Sequence, residues 1–451
     1  MMRISPVTRN IIIDWSRIKI YTSNNNLPVA ASHPKRRNLM NAEQVKVCLG
    51  LNHKDNIEKA RDNLKGVIKE TPLIYSDFFS KENKCNVYLK PENFQTTGSF
   101  KIRGAYNKIA NLTDDECRNG IICASAGNHA QGVAFSAQRR GVKSTIVMPN
   151  VTPLLKIDAT KQYGSEVVIH GDVYDESCSK AMALSKEHDL TFVHAFDDYD
   201  VVCGQGTIGL EILDELENVD EILVPIGGGG LISGIALAVK SVKPSVKVIG
   251  VVPVGAMSMK ISIEEGQVTR LAAVKTSAEG VAVKQPGDLT FALARDYVDE
   301  IITVSEKDIM EAVLLILEKH KMIAETAGVV PLAGVKKRAT PGKNIVCLIS
   351  GGNIDVVTIS SIINQGLISR GRIMCFSVEL PDKPGQLVKV AQILAELGAN
   401  VIELEHNQFK AIDRYSNKVM LEVTVETNGH SHIKQIIEAL EDHNFEVKRV
   451  Y

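Results

Sequence analysis

Lys101 stands in the stretch "NFQTTGSFKIRGAYNKI", Asn93 to Ile109, where three hydroxyls (Thr96, Thr97, Ser99) and a glycine precede an amine set between Phe100 and Ile102. A lysine after such a turn is either a surface residue in the first turn of a helix capped by Thr97 or Ser99, or a nucleophile. Three further stretches bear on the choice. "SAGNHAQG", Ser125 to Gly132, is a small-residue turn entering a helix, with Ser125, Asn128 and His129 able to donate hydrogen bonds and helix-start amides suited to a carboxylate. "GGGG", Gly227, Gly228, Gly229 and Gly230, removes every Cβ ahead of a helix opening at Leu231, so that backbone N–H groups can wrap a phosphate. "SGGN", Ser350 to Asn353, brings one more hydroxyl.

From about Asn56 to Ile363 the chain alternates strand-like and helix-like segments. Val87–Leu89, Gly120–Ser125, Ser144–Met148, Glu166–His170, Ile222–Ile226, Lys247–Val252 and Ile345–Ser350 read as strands, and Ala130–Arg140, Leu154–Tyr163 and Asp175–His188 as helices. This rhythm predicts an α/β fold with doubly wound parallel sheets, whose ligands sit beyond the carboxyl ends of the strands. All the chemical stretches that follow strands fall at that edge. An amine, a carboxylate-binding turn, a phosphate cradle and a terminal hydroxyl together call for an aldehyde cofactor bearing a phosphate, and pyridoxal 5′-phosphate has that chemistry.

Composition narrows the class. The 451 residues carry 52 Lys+Arg against 53 Asp+Glu, a formal net charge of -1, which argues against nucleic acid or an anionic membrane as the main partner. The uncharged stretch Ile222–Val239 is long enough to raise a membrane span, yet Pro225 and five glycines make it strand, loop and helix. Eight cysteines without a C-x-x-C pair fit free thiols in a reducing compartment and no zinc site. Residues 1–39 are basic with Asp14 as their single acid; that composition fits a mitochondrial or other organellar transit peptide, a disordered tail, or an upstream start ahead of Met40. The expected location is cytoplasmic. Gly204, Gly206 and Gly209 match the dinucleotide fingerprint G-x-G-x-x-G, but no long strand precedes them and Val224–Pro225 stand where the acid should follow, so a nicotinamide-dependent oxidoreductase is a distant alternative.

The stretches "TGSFKIRGA", "SAGNHAQG", "GQGT", "PIGGGGL" and "SGGN" follow one another over residues 50 to 365 in the order found in the fold type II pyridoxal-phosphate enzymes, and the chain resembles the threonine/serine dehydratases among them. The resemblance implies two tryptophan synthase beta-like subdomains built on parallel sheets. It implies Lys101 as the Schiff-base lysine that later takes the Cα proton, Phe100 against the pyridine face, Asn128 at the cofactor 3′-oxygen, Gly227–Gly230 and Leu231 at the phosphate and Ser350 at the ring nitrogen. A hydroxyl there cannot hold the nitrogen protonated as an aspartate would, which favours quick loss of a β-hydroxyl over transamination. Ser125, Ala126, Gly127, Asn128 and His129 would grip the substrate carboxylate. The implied reaction is dehydration and deamination of threonine to 2-oxobutanoate and ammonia, or of serine to pyruvate. Glu325 in "AETAG" matches an acid the family keeps near the ring, with a helix-surface ion pair as the other reading. Serine racemases and other hydroxy-amino-acid lyases of this fold are the alternative. The racemases carry a second serine where this chain has Ala126, and metal-binding acids after "GVEP" where this chain reads Gly250-Val251-Val252-Pro253, so no divalent metal is expected.

Beyond Gly371 the pattern changes to βαββαβ: strand Met374–Leu380, a Pro384-initiated helix, strands Asn400–His406 and Lys418–Val425, helix Ser431–Leu440 and strand Glu446–Tyr451. This ferredoxin-like segment resembles the ACT amino-acid-binding domain through "DKPGQL", Asp382–Leu387, and "GAN", Gly398–Asn400. Gly385, Leu387 and Asn400 are the effector-site candidates that the resemblance implies; a module that only dimerises is the other reading. The expected division is a basic tail (1–46), a catalytic domain (47–365), a linker (366–372) and a regulatory domain (373–451). The expected partners are an amino-acid substrate, an amino-acid effector and further copies of the chain in a dimer or tetramer.

Overall fold

The structure is a computed structural model and describes residues 42–407 and 418–451. The reading of residues 1–39 lies outside the described residues. Residues 42–46, assigned above to the tail, belong instead to the helix Ala42–Leu49, because Val45, Cys48 and Leu49 pack against the body of the protein.

Ten strands build the first two sheets: β1 (Ile74–Tyr75), β2 (Asn86–Pro91), β3 (Ile121–Ala124), β4 (Ser144–Met148), β5 (Glu166–Ile169), β6 (Thr191–Phe192), β7 (Glu221–Pro225), β8 (Lys247–Pro253), β9 (Glu300–Val304) and β10 (Asn344–Ile349). The large sheet has the order β1-β2-β10-β7-β8-β9 and the small one β5-β4-β3-β6. Every pairing is parallel except β1 with β2. Alternate residues of β10 enter opposite cores: Ile345, Cys347 and Ile349 on one face, Val346 and Leu348 on the other. A sheet covered on both faces needs unbroken apolar strands, and that is why these segments read as continuous β-branched runs.

The third sheet is antiparallel, in the order β12-β13-β11-β14, from β11 (Ile373–Pro381), β12 (Asn400–Asn407), β13 (Lys418–Glu426) and β14 (Val447–Arg449). Met374, Phe376, Val378 and Leu380 face one core with the helices Gln386–Glu396 and His430–Asp442, and the period of two follows from a single covered face. The helix expected to open at Pro384 opens at Gln386. Gly385 takes φ +89° at the N-cap, a left-handed conformation that glycine supplies without steric cost, and so ends the preceding turn. The segment 366–372 contains the last turn of the helix Val356–Ser369 and then the bend at Gly371.

The dinucleotide-like glycines have a packing role. Gly204, Gly206 and Gly209 lie inside the helix Tyr199–Glu215, which crosses the helices Lys101–Asn111 and Gly230–Val242. A Cβ on Gly204 would stand 2.7 Å from the Cα of Gly104, and one on Gly206 would stand 2.8 Å from the carbonyl oxygen of Gly234. Backbones at that separation leave no room for a side chain.

A buried ionic network ties these helices to β2. Arg103 donates all five of its N–H groups: Nε and Nη2 to Glu92 at 2.8 Å each, Nη1 and Nη2 to Glu211, and Nη1 to Thr207 Oγ1 at 3.1 Å. Lys90 joins it through Glu211 at 2.9 Å and Glu215 at 2.7 Å. Burial works against the Arg103 charge, and Glu92 and Glu211 outweigh it, holding the guanidinium pKa above its ordinary value. Arg103 is two residues beyond Lys101, so the network fixes the first turn of the lysine's helix. Among the described residues, no helix is long and apolar enough to cross a membrane.

Candidate active site

A cavity of about 470 Å³ lies beyond the carboxyl ends of β3, β7 and β10, a size typical of small-molecule sites. Phe100, Lys101, Ser125, Ala126, Gly127, Asn128, His129, Gly227, Gly228, Gly229, Gly230, Leu231 and Ser350 all border it. The residues proposed from sequence for cofactor and substrate therefore converge, although they span some 250 positions of chain. Gly385, Leu387 and Asn400 lie apart from it: Gly385 and Asn400 are exposed at the starts of a helix and of β12, and Leu387 packs against the core of the third sheet.

Lys101 is the first residue of its helix. The N–H of Phe100 donates to the Ser350 carbonyl at 3.1 Å, and Ser99 bridges to Gly351, so the turn before the lysine is stitched to the end of β10. Its Nζ donates to the carbonyl of Ala195 at 2.8 Å and stands 5.3 Å from the Phe100 ring centroid. Burial lowers the ammonium to about 8, with Glu325 pulling the other way. The amine is accordingly far easier to deprotonate than a surface lysine.

The sequence left Glu325 between two readings, and it is not on a helix surface. It follows the helix Glu306–His320 and borders the cavity, accepting from Asn128 Nδ2 at 2.7 Å, and burial raises its carboxyl to about 7. Asn353 completes the line, its Nδ2 donating to Asn128 Oδ1 and to the Thr97 carbonyl at 2.8 Å each. Asn128 is thus oriented from both ends, and the "SGGN" stretch contributes its asparagine as well as its serine. His129 borders the cavity with its ring anchored away from it. The residue is 3% exposed and its Nε2 is engaged with the Val193 carbonyl at 3.1 Å. Burial lowers it to about 3, so it stays neutral and its ring has no hydrogen bond left for a carboxylate on that nitrogen.

The glycine loop forms a cradle that side chains would fill. Gly229 takes φ +99°, and a Cβ on Gly230 would stand 2.9 Å from the Phe196 backbone. The helix Gly230–Val242 points its N-terminus into the space, an arrangement that favours an anion. A phosphate fits there, and Lys101 and Ser350 border the same cavity, so the residues present fit a phosphate-bearing aldehyde. Phe196 and Ala195 are cavity residues without a motif in the sequence; their only signal is their place after β6. Among the described residues, no group of three or more His, Cys, Asp or Glu is placed to hold a metal ion.

Comparison with known proteins gives a concordant result. Residues 64–351 match the family described as pyridoxal-phosphate dependent enzyme, and residues 376–444 match the ACT domain. A protein of Thermotoga maritima named L-threonine ammonia-lyase is 45% identical over 397 residues, 88% of this chain and 99% of its own. The processed form of threonine deaminase isoform 2 from Solanum lycopersicum superposes with a TM-score of 0.67 at 36% identity, covering 76% of this chain and 98% of that one. Maize serine racemase superposes with a TM-score of 0.66 at 32% identity, over 70% of this chain and 98% of that one.

Proposed function

The chain belongs to the pyridoxal-phosphate dependent enzymes and ends in an ACT domain, and from that premise we propose that it dehydrates and deaminates L-threonine to 2-oxobutanoate and ammonia, and L-serine to pyruvate. The observation that carries the reading is the convergence of Lys101, Asn128, the glycine loop and Ser350 on one cavity. When bound, the cofactor supplies a conjugated pyridine system that draws electrons from the substrate Cα. Gly227–Gly230 and the Leu231 amide would hold its phosphate, Phe100 a ring face, Asn128 the 3′-oxygen and Ser350 the ring nitrogen. Lys101, with its pKa near 8, has a useful neutral fraction close to pH 7 and would both carry the cofactor and take the Cα proton. The turn Ser125–Asn128 and the first amides of the helix Asn128–Arg140 would receive the substrate carboxylate, His129 serving through its backbone. Purified protein should show a visible absorbance that borohydride removes, and should form a ketoacid from threonine. Absence of both would overturn the reading.

Racemisation is the competing outcome on this fold, and Ala126 bears on it. A methyl group cannot return a proton to the far face of Cα. Ala126→Ser is expected to raise D-serine formed from L-serine, relative to pyruvate, from a trace to a measurable share by chiral chromatography. Comparable racemisation by the unmodified protein would show that Ala126 is not the deciding position.

The ACT domain supports regulation by an amino acid bound near Gly385, Leu387 and Asn400. Coupling of this kind usually changes apparent affinity roughly 5- to 150-fold. A chain ending at Ser369 retains every cavity residue and is expected to keep its cofactor and turnover while losing the response to isoleucine, valine and other amino acids in steady-state assays. Gly385→Leu, which forces a side chain into φ +89°, should blunt that response in the full chain. Equal responses with and without the domain would leave it an assembly module. The reading also includes a dimer or tetramer working in the cytoplasm, consistent with eight cysteines that are all free thiols.

A further inference from the structure

We propose that Asp197 is a positioning residue for the glycine loop, acting through Thr290 from outside the cavity; this rests on the reading of that loop as a phosphate cradle. Asp197 does not border the cavity. It is 7% exposed, and its carboxylate accepts three consecutive backbone N–H groups at the start of the helix Asp288–Tyr297: Asp288 at 3.1 Å on Oδ2, Leu289 at 3.0 Å and Thr290 at 3.1 Å on Oδ1. The helix has Gly287 as its N-cap residue, which offers no side chain of its own, so the cap comes from 90 residues away.

The third of those residues reaches the loop. Thr290 Oγ1 donates to the Gly228 carbonyl at 2.6 Å and accepts from the Gly287 N–H at 3.1 Å. With its carbonyl taken from behind, Gly228 is held with its peptide in a fixed sense, which sets where the loop's N–H groups point. The residues beside Asp197 touch the same machinery. The Phe196 ring packs against Gly228, and the Ala195 carbonyl accepts from Lys101. His194 Nδ1 accepts the N–H of Asp197 at 2.7 Å and of Phe196 at 3.3 Å; burial lowers its pKa to about 4, which keeps that nitrogen an acceptor near neutrality. Residues 194–197 thus form a strap that connects the lysine, the loop and the capped helix. A carboxylate at an exposed helix start is common; one buried, shared by three amides and linked by a single hydroxyl to the cradle has a purpose beyond capping.

The test titrates stripped protein with pyridoxal 5′-phosphate and reads the dissociation constant by fluorescence, with thermal unfolding of the same samples. Asp197→Asn keeps the shape but points an NH2 group at one amide, and is expected to weaken binding at least ~10-fold. Thr290→Val should do the same, Thr290→Ser should restore most of the affinity, and the double variant should be little worse than the weaker single one, as for two members of one chain of contacts. Ser305→Ala removes the cap of the helix Glu306–His320, away from the cavity, and supplies the comparison: lowered melting with unchanged affinity. If Asp197→Asn does not fold, Thr290→Val reads the same link. Unchanged affinity in Thr290→Val, additive losses, or an equal loss in Ser305→Ala would overturn the proposal alone. Failure of the unmodified protein to bind the cofactor would overturn it together with the cradle reading.

Discussion

Replacing Lys101 with alanine is expected to lower threonine deamination by at least ~10³-fold, because one side chain supplies both covalent attachment and proton transfer. The substitution removes an amine that donates to the Ala195 carbonyl, and leaves the backbone clamp of Phe100 on Ser350 and the Arg103 network in place. The fold should therefore survive, and melting close to that of the unmodified protein would separate lost chemistry from lost structure. The borohydride-sensitive absorbance should vanish as well. Turnover within tenfold of the unmodified enzyme would mean that another amine does the work.

The second large effect concerns stability. Arg103→Met leaves Glu92, fully buried, without the guanidinium that accounts for two of its hydrogen bonds; among the described residues its carboxylate then keeps Thr71 Oγ1 at 2.7 Å. Removing one partner of a buried ion pair typically costs ~3–5 kcal/mol, since the remaining charge stays desolvated. A corresponding drop in the urea midpoint is expected. Replacing Glu92 by leucine in the same chain should recover part of the loss, because the orphaned carboxylate is then gone. A single substitution that costs less than about 1 kcal/mol would show that the network is solvated in practice, contrary to its burial.

The parallel strands were readable because their burial on both faces writes itself as apolar runs, and β4 matches its expected limits, Ser144–Met148. Motif loops were readable because glycine and hydroxyl residues are chemically costly to place without reason. What stayed hidden is long-range. The helix Tyr199–Glu215 was obscured by glycines that resemble a nucleotide loop, and their cause is the approach of Gly104 and Gly234, distant in sequence. Asp197 gave no local sign, because it caps a helix 90 residues later whose own N-cap is a glycine. The anchor of the His129 ring was hidden for the same reason: the carbonyl it engages, that of Val193, is 64 residues away.

The pairing of β2 with β10 also sets an order of assembly. Asn86 and Asn344 meet side by side, 258 residues apart, while β7, β8 and β9 and the whole small sheet are built from neighbouring stretches. Long loops close slowly, and contacts between distant residues form late. As the chain leaves the ribosome, β1 and β2 emerge first but have no parallel partner until nearly the end of the catalytic body, so an unpaired edge persists through most of synthesis. The turn before Lys101 waits equally long for Ser350. A nascent chain released short of Asn344 would lack β10 and Ser350, and the two ends of the catalytic body meet only when the lysine's site is complete.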